Sequence, residues 1–254
     1  MGRLRVTFLG TGTSHGVPMI ACDCPVCRSN DEKNKRTRTS ILVSYNGRNI
    51  LVDTTPELRI QAIRCNVRRV DAVLFTHHHA DHSGGCQRIK DIIPAKVYLH
   101  QEGAELVEEG DEEKMGLVVA KKSGFYSPRY TFTPFKVDCR VKDNEEISVG
   151  KLKLKAFHTP GHSKDSTCFY IDREGCRILF SGDVVLFEGK IALLNLRGSN
   201  LEDYRKNFSK ITSLEVDALL PGHGVFVLKE GKQHIDRASL APVSYTHLTL
   251  PTKA

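Results

Sequence analysis

Several features that define other protein classes are absent from this 254-residue chain. No segment approaches the roughly 18 consecutive apolar residues that a transmembrane helix needs. The first six residues become polar too early for a secretory signal peptide. Eight cysteines are too few for a disulfide scaffold in a chain of this length. We therefore expect a cytoplasmic protein with reduced cysteines and no membrane association.

Signatures of other enzyme classes are also missing. The sequence offers no Ser-His-Asp arrangement that would compete for the nucleophile role. It also lacks a Walker-type phosphate loop and a dinucleotide-binding Gly-x-Gly-x-x-Gly motif. The Gly-Thr-Gly-Thr run at residues 10–13 falls short of either motif, and we interpret it as a turn beside the active site.

The composition is that of an ordinary globular protein, with 40% hydrophobic and 26% charged residues. A net charge of +7 favours a small anionic partner, but it does not indicate nucleic acid, which usually needs a broader basic surface. Without repeats or low-complexity linkers, residues 1–241 are predicted to form one domain. Residues 242–254 continue no upstream pattern, and we interpret them as a non-native tail. The oligomeric state is not predicted.

Short β-rich runs recur along the chain and alternate with helical segments, which predicts a layered α/β fold with mixed sheets. Asn46 and Gly47 join two of these runs and predict a tight hairpin. Helices are expected at residues 56–65, with Thr55 as N-cap, and at 201–214. Residues 101–136 are expected to form a solvated helix followed by an ordered loop, with a substrate-covering insertion as the alternative.

The strongest chemical signal is a His-x-His-x-Asp-His motif that directly follows the apolar run 72–75. Alternate residues at a strand end point the same way, so His77 and His79 can share one ion while His78 points away. Asp81 and His82 then offer oxygen and nitrogen to a second ion. Imidazole and carboxylate ligands suit zinc, with manganese or iron as alternatives.

Further candidate ligands follow the same rule, because each lies just past an apolar strand. They are His158 and His162, Asp183, and His223. Each signal is weak alone, but the repetition indicates one site, since strand ends hold loop side chains rigidly.

A separate cluster comprises Cys22, Cys24 and Cys27. Three thiolates at this spacing can hold a structural zinc ion with a fourth ligand from elsewhere, such as His234 or another cysteine. The alternative interpretation is three reduced cysteines without a ligand.

Taken together, the motifs at 77–82, 159–162, 181–183 and 221–223 resemble those of the metallo-β-lactamase superfamily, in the family's order. The resemblance implies an αββα sandwich with a dinuclear metal site in the cleft between the sheets. It also implies the ligand sets: His77, His79 and His162 for one ion, Asp81, His82 and His223 for the other, and Asp183 as the bridge. Two such ions generate hydroxide from a shared water at neutral pH, and Asp81 is expected to orient that nucleophile. His158 matches no ligand position and is expected to support the site or the fold.

The two halves of the chain resemble different branches of this superfamily. The 10–18 loop, the cysteine cluster and the Arg-Thr-Ser at 38–40 resemble the phosphoribosyl 1,2-cyclic phosphate phosphodiesterase branch. That resemblance implies a small cyclic phosphate as substrate, with His15, Arg36 and Arg38 as candidate contacts for anionic oxygen. The motifs at 159–163 and 221–224 instead resemble the hydroxyacylglutathione hydrolase branch, which implies a thioester. A processing ribonuclease and a non-catalytic metal-binding module are the weaker alternatives.

Overall fold

The computed structural model describes residues 2–240, so the tail proposed for residues 242–254 lies outside the described part. The described residues form two mixed sheets. The six strands of the first sheet are β1 (Arg5–Gly10), β2 (Ser40–Tyr45), β3 (Arg48–Val52), β4 (Ala72–Leu74), β5 (Lys96–His100) and β6 (Cys139–Val141). They lie in sequence order; β1, β2 and β3 pair antiparallel, and β3 to β6 pair parallel.

The second sheet has five strands in the order β11-β10-β9-β8-β7. These are β7 (Glu146–Val149), β8 (Leu152–His158), β9 (Thr167–Arg173), β10 (Cys176–Gly182) and β11 (Ala218–Pro221). Strands β7 to β10 pair antiparallel, and β11 pairs parallel to β10. Both sheets are therefore mixed, as the sequence predicts.

Eight α-helices are described. They are α1 (Leu58–Arg64), α2 (Ala80–Ser83), α3 (Cys86–Lys90), α4 (Gln101–Glu109), α5 (Leu117–Lys122), α6 (Leu201–Asn207), α7 (Ser209–Thr212) and α8 (Gly231–Leu240). Short 3₁₀ turns occur at Glu32–Asn34 and Phe187–Gly189. No helix among the described residues is long and apolar enough to cross a membrane.

Three hydrophobic clusters show how these elements are layered. Strand β2 illustrates the arrangement, because Ile41 and Val43 belong to one cluster and Leu42, which points the other way, belongs to another. The cluster of Ile41 and Val43 also contains Leu154 and Phe169 of the second sheet, so it fills the space between the two sheets. The cluster of Leu42 joins the first sheet to α1, α3, α4 and α5, and a third joins the second sheet to α6, α7 and α8. The result is an α/β/β/α sandwich.

Local predictions from the sequence are partly confirmed. The Asn46-Gly47 hairpin is present, with φ of 46° and 72° at its two residues and antiparallel pairing of β2 with β3. The predicted N-cap is wrong: α1 begins at Leu58, and the Thr55 hydroxyl is buried without a hydrogen-bond partner. The helix predicted at 201–214 is divided into α6 and α7 at Phe208. Residues 101–136 contain α4 followed by a second, unpredicted helix, α5.

Candidate metal centre

The candidate ligands lie at one edge of the sandwich because the strands that precede them run in the same direction. In the second sheet, β10 and β11 are parallel, and β8 is separated from β10 by one antiparallel strand. The ends of β8, β10 and β11 therefore meet at one edge, from which the loops with His162, Asp183 and His223 emerge. The loop after β4 of the first sheet supplies the residues 77–82.

One group of candidate ligands consists of three imidazoles, His77, His79 and His162. The Nε2 atom of His162 lies 3.1 Å from Nδ1 of His79. His77 is 1% exposed, and its Nε2 atom is buried without a hydrogen-bond partner. Burial is the main cause that lowers the pKa of all three side chains, so the rings are neutral at pH 7. Neutral imidazole is the form that binds a metal ion.

A second group consists of Asp81, His82 and His223. Nε2 of His223 lies 3.1 Å from Oδ2 of Asp81 and 3.2 Å from Nε2 of His82. Burial alone would lower the pKa of His82, but the carboxylates of Asp53 and Asp81 outweigh it and raise the pKa to about 10. Burial would raise the pKa of Asp81, but the neighbouring His82 and His223 lower it well below its usual range.

Asp183 lies between the two groups. Its Oδ2 is 3.5 Å from Nε2 of His162 and 3.7 Å from Nε2 of His223. Its Oδ1 is 3.8 Å from Nε2 of His82, and it is buried without a hydrogen-bond partner. This carboxylate can therefore contact ions held by either group.

The donor set fits divalent metal ions on three observations. The ligand atoms in each group lie within 4.8 Å of one another. A tetrahedral zinc site with bonds of 2.0–2.1 Å separates its ligand atoms by about 3.3 Å, close to the 3.1 and 3.2 Å found here. Two buried acceptors, on His77 and Asp183, have no partner among the described residues, and a cation would satisfy both.

Asp53 supports this cluster, although the sequence analysis did not assign it a role at the site. It follows β3, and its Oδ2 accepts a hydrogen bond from Nδ1 of His82 at 2.8 Å. The same carboxylate accepts hydrogen bonds from the backbone N–H and the hydroxyl of Thr76, both at 2.8 Å. On the other side of the site, Nδ1 of His162 donates to the backbone oxygen of Ala192 at 2.7 Å. Such bonds leave the Nε2 atoms of His82 and His162 free to face a metal ion.

Two further histidines of the sequence motifs lie outside the ligand groups. The ring of His158 stacks on His100 with centroids 3.7 Å apart, and its Nε2 lies 2.7 Å from the backbone oxygen of Lys164. His78 points away from the cluster, as strand alternation predicts, and pairs with Asp165 instead.

The three cysteines do come together. Their sulfur atoms lie within 4.8 Å of one another in the loop between β1 and β2. The backbone N–H of Cys27 donates to Sγ of Cys24, and this bond is the main cause that lowers the pKa of Cys24 to about 7. Among the described residues no fourth ligand joins them. His234 instead packs on Phe187, and its Nδ1 accepts the backbone N–H of Glu188.

The segment 101–136 reaches the same edge of the sandwich through its aromatic residues. Phe125 packs on His15, with ring centroids 4.1 Å apart. Tyr126 stacks on Tyr130 at 4.8 Å and covers the guanidinium of Arg38 at 5.6 Å. These contacts hold the segment beside the side chains of His15 and Arg38. In the sequence, these aromatic residues were recognisable only as part of a basic and aromatic stretch.

Tyr130 links this segment directly to the ligand loop. A Cβ atom added to Gly84 would lie 2.5 Å from the Tyr130 hydroxyl, so the hydroxyl lies against the end of α2, the helix with Asp81 and His82. Arg38 is not a free contact for anions, because its guanidinium pairs with Glu57 and donates to the backbone oxygen of Ser14.

Comparison with known proteins identifies the family. Residues 34–223 match the family model described as the metallo-beta-lactamase superfamily. This chain belongs to that superfamily. The solved B3 metallo-beta-lactamase BLEG-1 is similar in fold, with a TM-score of 0.68, 23% identity, and coverage of 91% of this chain and 97% of that one. FEZ-1 from Legionella gormanii has a TM-score of 0.62 and 22% identity over 80% of this chain and 87% of its own. The predicted αββα metallo-β-lactamase fold is confirmed.

Curated relatives match about 60% of the chain. A Porphyromonas gingivalis protein named octanoyltransferase is 36% identical over 156 residues, 60% of this chain and 30% of its own length. The probable metallo-hydrolase YqgX of Bacillus subtilis is 31% identical over 60% of this chain and 68% of its own. The hydroxyacylglutathione hydrolase of Francisella tularensis subsp. novicida is 29% identical over 60% of this chain and 48% of its own length. The chain spans 30% of the length of the octanoyltransferase and 44% of another relative, the atrochrysone carboxyl ACP thioesterase of Aspergillus fumigatus. The hydrolases among these relatives, together with the family match, support an enzyme.

Proposed function

We propose that this chain is a metal-dependent hydrolase that holds two divalent ions, zinc as the expected metal with manganese or iron as alternatives, at the edge of its two sheets. The observation that carries this proposal is the convergence of seven candidate ligands from four loops, with unpartnered buried atoms on His77 and Asp183. His77, His79 and His162 would hold one ion and Asp81, His82 and His223 the other, with Asp183 shared.

Ions bound there would supply activation of water at neutral pH and polarisation of the substrate oxygen. The residues of the chain supply the rest. Asp53 holds His82 through Nδ1, so Nε2 faces the site. Asp81 is held ionised by its histidine neighbours, and its carboxylate is the candidate group to accept a proton from the attacking water. Burial lowers the pKa of His15, so its ring is neutral at pH 7 and can donate one hydrogen bond to a substrate oxygen.

The proposed substrate is a small cyclic phosphodiester. The resemblance of the N-terminal half supports this substrate. In addition, His15 of the 10–18 loop is close enough to Asp81 and His223 to interact with them electrostatically. The neighbouring Tyr126 and Tyr130 add an aromatic surface on which a sugar or base can pack. A thioester is the second candidate. It is favoured by relatives named as thioesterases, such as the acyl-coenzyme A thioesterase MBLAC2 of Gallus gallus, 31% identical over 159 residues.

The experiment is a pair of assays on the zinc- and manganese-loaded protein, with bis(p-nitrophenyl) phosphate and with a glutathione thioester. The Asp81→Ala variant is the control, since it removes one carboxylate at the site and should leave the fold intact. Metal-dependent hydrolysis of the phosphodiester, abolished in the variant, supports the first candidate. Hydrolysis of the thioester alone supports the second, and equal activity of variant and parent would rule out the proposed site.

We also propose that Cys22, Cys24 and Cys27 hold a structural zinc ion. The close approach of the three sulfur atoms supports this assignment, because zinc binds clustered thiolates. An ion there would stabilise the loop between Gly10 and Ser40, which contains no strand or α-helix.

A further inference from the structure

His78 and Asp165 form a buried polar pair next to the candidate ligands. His78 is 4% exposed and Asp165 is 1% exposed. His78 lies between two ligands, His77 and His79, but neither member of the pair belongs to a group of potential ligands among the described residues. Two ionisable side chains buried at a site and unused by it call for a separate explanation.

The pair connects the two sheets. Nδ1 of His78 lies 2.7 Å from Oδ1 of Asp165, and the two residues are 87 positions apart in the chain. His78 follows β4 in the first sheet, whereas Asp165 lies between β8 and β9 of the second. The same oxygen of Asp165 accepts the hydroxyl of Ser163 at 2.8 Å. Oδ1 of Asp165 therefore contacts both His78, which precedes His79, and Ser163, which follows His162.

The surroundings hold the pair in place. The hydroxyl of Ser83 donates to the backbone oxygen of His78 at 2.7 Å. The backbone N–H of Thr167 donates to the backbone oxygen of Thr76 at 2.8 Å, a second bond between the same two loops. Gly103 on α4 makes room for the carboxylate, because a Cβ atom there would overlap Oδ2 of Asp165.

We propose that His78 and Asp165 are positioning residues, whose bond sets the distance between the His77–His79 loop and the His162 loop and so preorganises the three-imidazole group. This inference rests on the proposed function, since it concerns the same metal site. The physical reason is that His79 and His162 come from different sheets, yet their ring nitrogens lie 3.1 Å apart. Metal binding is tightest when such ligands need no rearrangement.

The test measures zinc affinity of the metal-free full chain by competition with a chelating dye. Asp165→Ala and His78→Gln each break the bond from one side. Each substitution is expected to lower the zinc affinity of the three-imidazole group by about 10- to 100-fold, because loss of a supporting partner has that effect at other metal sites. Asp165→Asn keeps an oxygen acceptor for Nδ1 of His78 and is expected to restore most of the affinity.

Asp71→Asn is the matched control. Asp71 precedes β4 at the end opposite His77, and its carboxylate bonds the backbone N–H of Asn49 at 2.9 Å and Arg48 at 2.6 Å. This variant should lower the melting temperature without changing zinc affinity.

The outcomes separate the two proposals. Parent-like zinc affinity in folded Asp165→Ala and His78→Gln would overturn the positioning role and leave the metal-dependent hydrolase standing. Loss of the folded far-UV spectrum in both variants would overturn it as well, because the pair would then serve the fold alone. Absence of zinc binding at the histidine cluster of the parent protein would overturn both proposals.

Discussion

The Nδ1 atom of His82 lies 2.8 Å from the carboxylate of Asp53, a residue 29 positions earlier in the chain. Asp53 adopts a positive φ of 60° directly after β3, and this turn directs its side chain toward the loop after β4. The carboxylate also accepts two hydrogen bonds from Thr76, so it ties the start of the ligand loop to its last member.

Asp53→Asn is therefore expected to weaken metal binding. The amide keeps the shape of the carboxylate but removes its charge. It therefore holds the His82 ring less firmly in its orientation and makes the ring less basic. Loss of such a partner costs about 10- to 100-fold in metal affinity at comparable sites. Chelator competition on the metal-free protein measures it, and an unchanged affinity would show that Thr76, not His82, is the functional partner of Asp53.

Gly222→Ala is expected to disturb the cluster. A Cβ atom at this position would overlap Oδ1 of Asp183 and lie 2.7 Å from Cε1 of His82. Such overpacking costs about 1–3 kcal/mol and displaces the Asp183 carboxylate. Metal content by elemental analysis should fall. Gly224→Ala, on the other side of His223, meets nothing within 4 Å and should retain its metal despite a strained φ of 88°.

Cys24→Ser is expected to remove about one zinc ion per chain and to lower the melting temperature, because a structural ion contributes binding energy to folding. The ions at the histidine cluster should remain, so hydrolysis below the melting temperature should change little. Cys176→Ser is the control, since Cys176 is an exposed thiol on β10. Unchanged zinc content in Cys24→Ser would refute the structural site.

Acid is expected to destabilise the metal-free protein below about pH 6.5. Burial lowers the folded-state pKa of His77, His79 and His162, so the unfolded chain binds protons that the folded chain cannot. Stability therefore falls as the pH drops from the unfolded-state pKa toward the folded-state values. His82 acts in the opposite sense: its pKa of about 10 gives stability that is full below about pH 6.5 and is lost as the pH rises through 10.

Thermal melts of the metal-free protein across this range measure both effects. His77→Asn should flatten the acid decline, because it removes one of the neutral buried rings. A melting temperature that stays constant from about pH 7.5 to about pH 5 would contradict the buried neutral state of the three histidines.

Much of the fold followed from local pattern. The Asn46-Gly47 turn depends on neighbouring residues, and the predicted hairpin is confirmed. Element boundaries followed less well: Thr55 has the residue type of an N-cap, but α1 begins three residues later. The break between α6 and α7 has no Gly or Pro to signal it. Ends of helices depend on what they pack against, which local sequence does not contain.

The ligand cluster was predicted because its members share one local rule, a His or Asp just after an apolar strand. The supporting carboxylates were not predicted. Asp53 also follows a strand, but its role depends on His82, which lies on another element. Asp165 lies in the loop between β8 and β9, where no apolar run directly precedes it. Its role becomes visible only through its contact with His78.

The sequence by itself indicated mixed α/β layers and the candidate metal-binding residues, because strand period, turn chemistry and ligand type are properties of a few neighbouring residues. The family and the sandwich were implied by the resemblance of its motifs. Only the tertiary structure decided which of the candidate residues meet. Asp81 approaches His223 across 142 positions, and His78 reaches Asp165 across 87. Those contacts exist because two sheets pack face to face and bring their strand ends to one edge, an arrangement that depends on the whole core.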